Sequence, residues 1–345
     1  MIEIDGSQKS GSGTILRLSV AMSAITGQPL HLFNIRDDRP QPGLKPQHLE
    51  SVLTAARLCN AELKNAQLRS REIWFNPKNI PGGNFESEIG TAGSIPMLLI
   101  TVIPLCIVAE DTVHLHVTKG GTDVRHSPTI NYMRYVFLPT LKRMEINATS
   151  QVHRYGYYPK GGGEVTLTVD PCESLHPLRL TDFGKIETVN GVSVCTFLAE
   201  RNVAKRQAKA AENYLTQKGY SPDIQVVNDE SNPIQKGSSL ALWAETDAGV
   251  ILGADAIGER KKRSEKVGKE AARKLFSELF SRPTVDTHMA DLLIPYVALA
   301  EGESEYLIRK VTDHLETNIW LAEKLLDVKF KIEKVDKLYK VKKTS

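Results

Sequence analysis

The sequence predicts an α+β protein built from a repeated unit of strand, turn, helix and strand, with a smaller α+β domain inserted. Segments 30–63, 113–152 and 305–335 each show an apolar strand, a polar turn, a helix with apolar residues at three-to-four spacing, and another strand. The stretch between the second and third copies follows a different order. Because a helix covers only one face of its strands, several units are expected to stack and bury the rest.

The different stretch predicts the inserted domain. Its pattern is a strand, a helix, a strand, a hairpin-like pair of strands and a strongly charged helix, and residues 171–177 and 281–283 around it are rich in chain-breaking residues. The repeat pattern resumes only after it. We therefore predict a discontinuous large domain over residues 1–179 and 280–340, and a smaller domain over residues 180–279.

Overall charge excludes a strong global attraction to polyanions, because 44 basic residues face 41 acidic ones. Any nucleic-acid site must then come from a local patch. Residues 259–274 hold eight Lys or Arg against three Glu, which is typical either of contact with a phosphodiester backbone or of a solvated helix face.

The four cysteines are scattered, without a CxxC motif, and are expected to be small buried residues in a reducing compartment. The longest apolar run, residues 94–109, is broken by two prolines and is too short to span a bilayer, so it predicts a buried helix. The expectation is a cytoplasmic protein without a membrane-spanning segment.

Three features are candidates for chemistry. The Gly- and Ser-rich loop before the first helix could bind phosphate through backbone N–H groups, with Arg17 reaching back, or could be a simple turn. His314, like Arg39 and Asp123, lies where a strand passes into a helix of its repeat, and could be a nucleophile toward phosphorus or an ordinary turn residue. Residues 156–165, which contain three successive glycines, require close backbone approach to another segment or to a ligand.

His114 and His116 alternate on one predicted strand and therefore share a face. They could bind a metal ion, but no third ligand is evident. The structural interpretation of this pair is favoured.

Eight segments resemble, in this order, the RNA 3′-terminal phosphate cyclase family. They are residues 3–17, 25–29, 35–49, 90–94, 120–128, 157–165, 290–302 and 314–319, and the Pro-Lys-Gly-Gly-Gly run within 157–165 is highly specific. The resemblance covers essentially the whole chain. It implies a large domain of repeated βαβαββ units with a smaller inserted α+β domain.

The resemblance also implies an ATP-dependent reaction in three steps. The family's histidine, which matches His314, attacks the α-phosphorus of ATP and forms a histidine–AMP adduct; AMP then passes to the 3′-phosphate of RNA. The neighbouring 2′-hydroxyl displaces AMP and closes a 2′,3′-cyclic phosphate. The expected partners are ATP and an RNA with a 3′-phosphate end, and a divalent metal ion, magnesium or manganese, is expected from the family.

The matching positions imply a set of site residues. Pro128 matches a residue that packs on adenine, and His288 matches the position on the other side of the base. The implied phosphate- and RNA-binding residues are Arg17, Arg39, Gln47 and Lys9. The implied ATP pocket consists of His288, Met289, Ala290, Asp291, Leu292, Pro128 and Ile100.

Several positions depart from the family pattern. Ser10 stands where the family has a glutamate associated with divalent metal, and Ile100 and Leu292 replace glutamines of the nucleotide site. We hypothesise that Lys9, beside Ser10, supplies a fixed positive charge instead of the metal. The remaining departures are Thr129, Asn131 and Tyr155.

Two classes of function follow from these matches and departures. The retained His314 favours a working cyclase, and so do Arg17, Arg39 and Asp291. The lost loop glutamate favours a catalytically silent relative that binds RNA or a ribosome-assembly partner, although such relatives lack the histidine. The enzyme is the favoured prediction. An enolpyruvyl-transferase-type enzyme shares the repeat architecture but is disfavoured by the glycine motif and by His314.

Overall fold

The computed structural model describes residues 1–344, whose helices and strands form three similar units and one insertion. The first unit contains β1 (Ile2–Asp5), α1 (Gly13–Thr26), β2 (Leu30–Phe33), α2 (Pro46–Leu58), β3 (Glu62–Lys64) and β4 (Ile73–Asn76). The second contains β5 (Gly83–Glu88), α3 (Ile95–Cys106), β6 (Val113–Gly120), α4 (Ile130–Tyr132), a π-helical turn (Met133–Phe137), α5 (Leu138–Lys142), β7 (Ala148–Arg154) and β8 (Gly163–Val169).

The third unit is divided by the insertion. It begins with β9 (Arg179–Leu180) and resumes with α8 (Met289–Leu292), α9 (Ile294–Leu299), β14 (Ser304–Ile308), α10 (Asp313–Leu325), β15 (Lys329–Val335) and β16 (Leu338–Thr344). The insertion contains β10 (Ile186–Thr196), a 3₁₀ turn (Ala199–Arg201), α6 (Val203–Thr216), β11 (Asp223–Asp229), β12 (Gly237–Thr246), β13 (Ile251–Ile257) and α7 (Ser264–Ser281).

The three units have the same sheet topology. Their strand orders are β1-β2-β4-β3, β5-β6-β8-β7 and β9-β14-β16-β15. In each sheet the first pair is parallel and the other two pairs are antiparallel. Each unit therefore has the order βαβαββ, and the predicted α+β fold class is confirmed.

The insertion forms its own four-stranded sheet, in the order β11-β10-β12-β13, with α6 and α7 packed together against it. The order strand, helix, strand, strand, strand, helix agrees with the predicted order of elements. The predicted domain boundaries at residues 180 and 279 stay a prediction.

The helices of the three units pack against one another. The apolar helix α3, which the run at 94–109 predicted, is buried, and α1 packs against α2, α3 and α10. The outward face of the second sheet is polar: His114 bonds Thr168 and His116 bonds Thr166, each at 3.1 Å, which agrees with the structural interpretation of this pair. No helix within residues 1–344 combines the length and hydropathy needed to cross a bilayer.

The insertion is fixed to the second unit through the helix that begins at Ile130. Tyr135 stacks on Trp243 of β12, with ring centroids 4.6 Å apart. A Cβ on Gly253 of β13 would lie only 2.6 Å from Val136, so glycine permits this close approach. These contacts hold the insertion beside the residues that precede α8.

Candidate functional site

The amino termini of α1 and α10 meet at the loop between β1 and α1. Thr14 Oγ1 and His314 Nδ1 are 3.4 Å apart, and the backbone N–H of Ser10 donates to Thr317 Oγ1 at 3.3 Å. Ser12 caps α1, because its side chain accepts a hydrogen bond from the N–H of Thr14. The Gly- and Ser-rich loop is therefore attached to the first turn of α10.

The amino termini of α2 and α3 lie near the same loop. A Cβ on Gly13 would lie 2.5 Å from Nε2 of His48, so only glycine lets this ring approach α1. The N–H of Ser94, which caps α3, donates to Gln47 Oε1 at 3.0 Å. Each helix terminus presents unpaired N–H groups and a partial positive charge, so four converging termini favour an anion such as phosphate.

His314 is the second residue of α10 and its side chain is exposed. Partial desolvation, and then the charges of Arg17 and Arg39, lower the pKa of His314 below its usual value of 6.5. The imidazole is therefore neutral near pH 7. With Nδ1 beside the Thr14 hydroxyl, Nε2 is the ring nitrogen available to a substrate.

Arg17 lies one turn into α1, behind His314. Burial lowers its pKa to about 10, although the nearby Asp291 opposes this shift, so the guanidinium stays charged near pH 7. It donates to Thr14 Oγ1 at 3.3 Å, and among residues 1–344 no carboxylate oxygen lies within 4.0 Å of it. A partly buried guanidinium with so few partners is suited to bind an anion.

Arg39 holds the loop in shape. Its guanidinium donates to the carbonyl oxygen of Ser10 at 2.8 Å and to that of Gly11 at 3.3 Å. Because the carbonyls point toward Arg39, the loop N–H groups are left for other partners. Lys9 is exposed at the tip of this loop, with a φ of 51°.

His48 is a site residue that sequence reasoning missed. Its ring is 5% exposed, and burial, followed by the charges of Arg17, Arg36 and Lys45, lowers its pKa to about 3. The N–H of Lys45 donates to Nδ1 at 3.4 Å, so the proton is assigned to Nε2, which faces Gly13. Its place beside Gln47 at the start of a Pro-initiated helix was the available signal.

Asp286, which sequence reasoning also missed, anchors the start of segment 288–292 of the implied nucleotide pocket. Its carboxylate accepts from the N–H groups of His288 and Met289 at 2.9 and 3.0 Å, from the N–H of Gly253 at 2.9 Å, and from the Tyr132 hydroxyl at 2.8 Å. Asp286 thus joins the insertion, the second unit and α8.

Residues 288–292 lie next to α10. Asn318 of α10 donates to the carbonyl oxygen of Asp291 at 2.7 Å, and burial raises the pKa of the Asp291 carboxyl to about 7. His288 is exposed, whereas Met289 and Ala290 are buried. Leu292 is partly buried and packs against the core.

Pro128 and Ile100 approach from the second unit. The hydroxyls of Ser94 and Ser127 are 2.5 Å apart, which ties the cap of α3 to the segment containing Pro128. Ile100 lies on α3 beyond that cap and is partly buried. Arg17, Arg39, Gln47 and His314 thus lie around the loop at 8–14. Pro128 is linked to them through Ser127 and Ser94, and the 288–292 segment is linked through Asn318 of α10.

The donor set around Ser10 does not fit a metal ion held by protein side chains alone. The hydroxyl of Ser10 is 2.9 Å from that of Ser12, and residues 1–344 contain no group of three metal-ligating His, Cys, Asp or Glu side chains.

Within residues 1–344, only two of the eight basic residues in the run at 259–274, Lys262 and Lys274, form ion pairs. Lys262 and Lys274 both pair with Glu270, Arg206 pairs with Glu265, and Glu259 pairs with Arg125. Because the other two glutamates of the run pair with arginines outside it, the interpretations as an RNA contact and as a solvated helix face both stay open.

Fold and site together define an α+β protein of three βαβαββ units, with a histidine where four helix amino termini meet. A family model described as RNA 3′-terminal phosphate cyclase matches residues 8–332, and the chain belongs to this family.

Curated relatives agree with this membership. Proteins named RNA 3′-terminal phosphate cyclase include one from Pyrobaculum aerophilum, 44% identical over 95% of this chain and 94% of the relative. One from Methanosarcina barkeri is 44% identical over 99% of each chain, and one from Pyrococcus abyssi is 42% identical over 99% of this chain and 98% of the relative.

Proposed function

We propose that this protein converts the 3′-terminal phosphate of RNA to a 2′,3′-cyclic phosphate, at the expense of ATP and through a covalent His314–AMP intermediate. The observation that carries the proposal is the neutral, exposed His314 at the meeting point of four helix amino termini, with the under-partnered Arg17 behind it. Family membership supports the substrate class.

His314 begins the reaction as a nucleophile. The lone pair of Nε2 attacks the α-phosphorus of ATP, a nitrogen–phosphorus bond forms, and the bond from that phosphorus to the pyrophosphate oxygen breaks. The proton on Nδ1 stays beside the Thr14 hydroxyl, which fixes the ring. Negative charge on the equatorial and leaving oxygens is stabilised by Arg17 and by the helix termini.

RNA then receives the AMP. An oxygen of the RNA 3′-phosphate attacks the same phosphorus, the nitrogen–phosphorus bond breaks, and the imidazole is neutral again. The 2′-hydroxyl next attacks the RNA phosphorus and expels AMP, its proton leaving to solvent. Adenylation is needed because a phosphate monoester dianion has no good leaving group.

The nucleotide pocket we propose lies between Pro128 and the 288–292 segment. Pro128 and His288 hold the two faces of adenine, with Met289 and Ala290 as the buried support under them. Asp291, whose carboxyl pKa is raised to about 7 by burial, is an acceptor or donor for the nucleotide. The apolar Ile100 and Leu292 line the pocket where the family has glutamines.

Metal dependence is open to direct test through Lys9. We propose that its ammonium supplies part of the positive charge that the family obtains from a metal near the loop. Nucleotidyl transfer should then persist in excess chelator and collapse in Lys9→Ala. Complete loss of wild-type activity in chelator would refute this role.

The compartment we propose is the cytoplasm. All four cysteines are free, and Cys59, Cys106 and Cys195 are buried, which suits a reducing compartment.

The deciding experiment uses ATP labelled at the α-phosphate. Wild-type protein should retain acid-labile, alkali-stable label after denaturation, His314→Ala should retain none, and His114→Ala on the outer sheet face should label normally. An RNA ending in 3′-phosphate should discharge the label and be cyclised. Absence of label from folded wild-type protein would refute the proposal and support the silent RNA-binding alternative.

A further inference from the structure

The glycine-rich run at 156–163 packs against two other loops and is held rigidly by them. The N–H groups of Thr122 and Asp123 both donate to the carbonyl oxygen of Gly156, at 2.8 and 3.1 Å. The side chain of Asn232 donates to the carbonyl oxygens of Tyr155 and Gly161, at 2.7 and 2.9 Å. The close backbone approach predicted for this run is thus made to protein segments, and it fixes the hairpin tip.

The fixed tip presents an apolar surface to solvent. Tyr158 is 77% exposed, whereas the preceding Tyr157 is buried and bonded to Thr196. Ile234, which is 54% exposed, lies beside the same hairpin, because a Cβ on Gly162 would be 2.8 Å from its Cδ1. Two exposed large apolar side chains next to each other on a fixed backbone offer a preformed contact surface for a ligand.

Lysines flank this apolar surface. Lys160 and Lys236 are exposed, and within residues 1–344 no carboxylate oxygen lies within 4.0 Å of either ammonium. We call Tyr158, Lys160, Ile234 and Lys236 the tyrosine rim. An aromatic ring flanked by unpaired lysines complements a chain of bases and phosphates.

The tyrosine rim adjoins the candidate phosphate site through one short segment. A Cβ on Gly161 would lie 2.7 Å from the carbonyl oxygen of Thr91, so the hairpin rests on residues 91–92. That segment continues to Ser94, whose N–H donates to Gln47. A polymer whose end occupies the phosphate site can therefore extend across the rim.

We propose that the tyrosine rim binds the single-stranded part of RNA that precedes the 3′-phosphate, with a nucleobase stacked on Tyr158 and backbone phosphates bound by Lys160 and Lys236. This inference rests on the proposed function and adds the mode of substrate recognition. Stacking accepts any base, so recognition is tolerant of sequence but selects an unpaired end.

The test measures binding of a fluorescent single-stranded RNA with a 3′-phosphate by anisotropy. Tyr158→Ala should weaken binding about tenfold, Tyr158→Phe should bind like wild type, and Phe280→Ala, which removes an aromatic ring 76% exposed on α7, is the matched control. Lys160→Ala with Lys236→Ala should make the slope of log affinity against log salt about 1.4 less steep.

Two readouts separate this proposal from the proposed function. Labelling of His314 by ATP alone should be unchanged in every rim variant, because the rim contacts only RNA. The proposed role of the tyrosine rim would be refuted if Tyr158→Ala and wild type bound RNA with equal affinity. It would also be refuted if wild type bound fully paired RNA as tightly as single-stranded RNA. Absence of His314 labelling together with Tyr158-dependent RNA binding would overturn the proposed function and leave the rim standing.

Discussion

The buried His48 makes the free energy of unfolding depend on pH, and one substitution can isolate this contribution. Its pKa falls from 6.5 to about 3 because the ring is buried and surrounded by the charges of Arg17, Arg36 and Lys45. The unfolded chain therefore binds a proton between pH 6.5 and pH 3 that the folded chain does not. Stability must then fall as the pH is lowered through this window.

The size of the effect follows from the two pKa values. Between pH 7 and pH 5 the unfolded state gains about 2 kcal/mol from protonating this one ring, while the folded state gains almost nothing. Asp291 acts in the opposite direction, because its raised pKa lets the folded state take up a proton as the pH falls. The wild-type curve alone therefore mixes these contributions.

A comparison with His48→Gln separates them, since glutamine cannot titrate but retains a donor. Urea unfolding at pH 7 and pH 5 should show that wild type loses about 2 kcal/mol more than the variant over this interval. Any difference in unfolding free energy between the two proteins at pH 7 cancels, because only the change between pH 7 and pH 5 is compared. Equal changes in the two proteins, with equal slopes in urea, would show that His48 is not held neutral by its surroundings.

Three further outcomes are expected from the site. Arg17→Ala should lower kcat/KM for His314 labelling about 100-fold, and Arg17→Lys should recover part of it, because lysine supplies charge without the planar fork; an unchanged Arg17→Ala would contradict the anion site. The labelling rate should fall on acidification with a midpoint below pH 6.5, since the pKa of His314 is lowered; a midpoint at or above 7 would contradict a neutral nucleophile. Ser10→Glu should make labelling more dependent on divalent metal, measured by titration with magnesium; no change would show that the loop does not set metal use.

The fold was predictable because its signals are local and repeated. Each strand–turn–helix–strand segment carries its own apolar pattern, and the insertion interrupts that pattern with a different one. The parallel first pair of each sheet was less visible, because β9 is two residues long and joins β14 across the whole insertion. A strand so short leaves almost no periodic signal.

The site was only partly predictable because some of its residues act through neighbours distant in sequence. His48 resembles any buried helical residue until Gly13 is seen to leave room for its ring. Asp286 is one carboxyl among many until four donors from three elements converge on it. Motif matching supplies His314 and Arg17 as predictions, but such long-range positioning requires the folded chain.

The charges around the loop explain how this chain can have Ser10 where the family has a glutamate. Four helix termini, Arg17 and Arg39 already place positive potential at one point, and Ser10 adds no negative charge to it. In relatives a loop carboxylate would cancel part of this potential, and a cation beside it would restore the balance. Because Ser10 carries no charge, this loop needs less positive charge from a bound cation, and Lys9 lies at the tip of the same loop. The loss of the acid is therefore compatible with phosphate chemistry at His314.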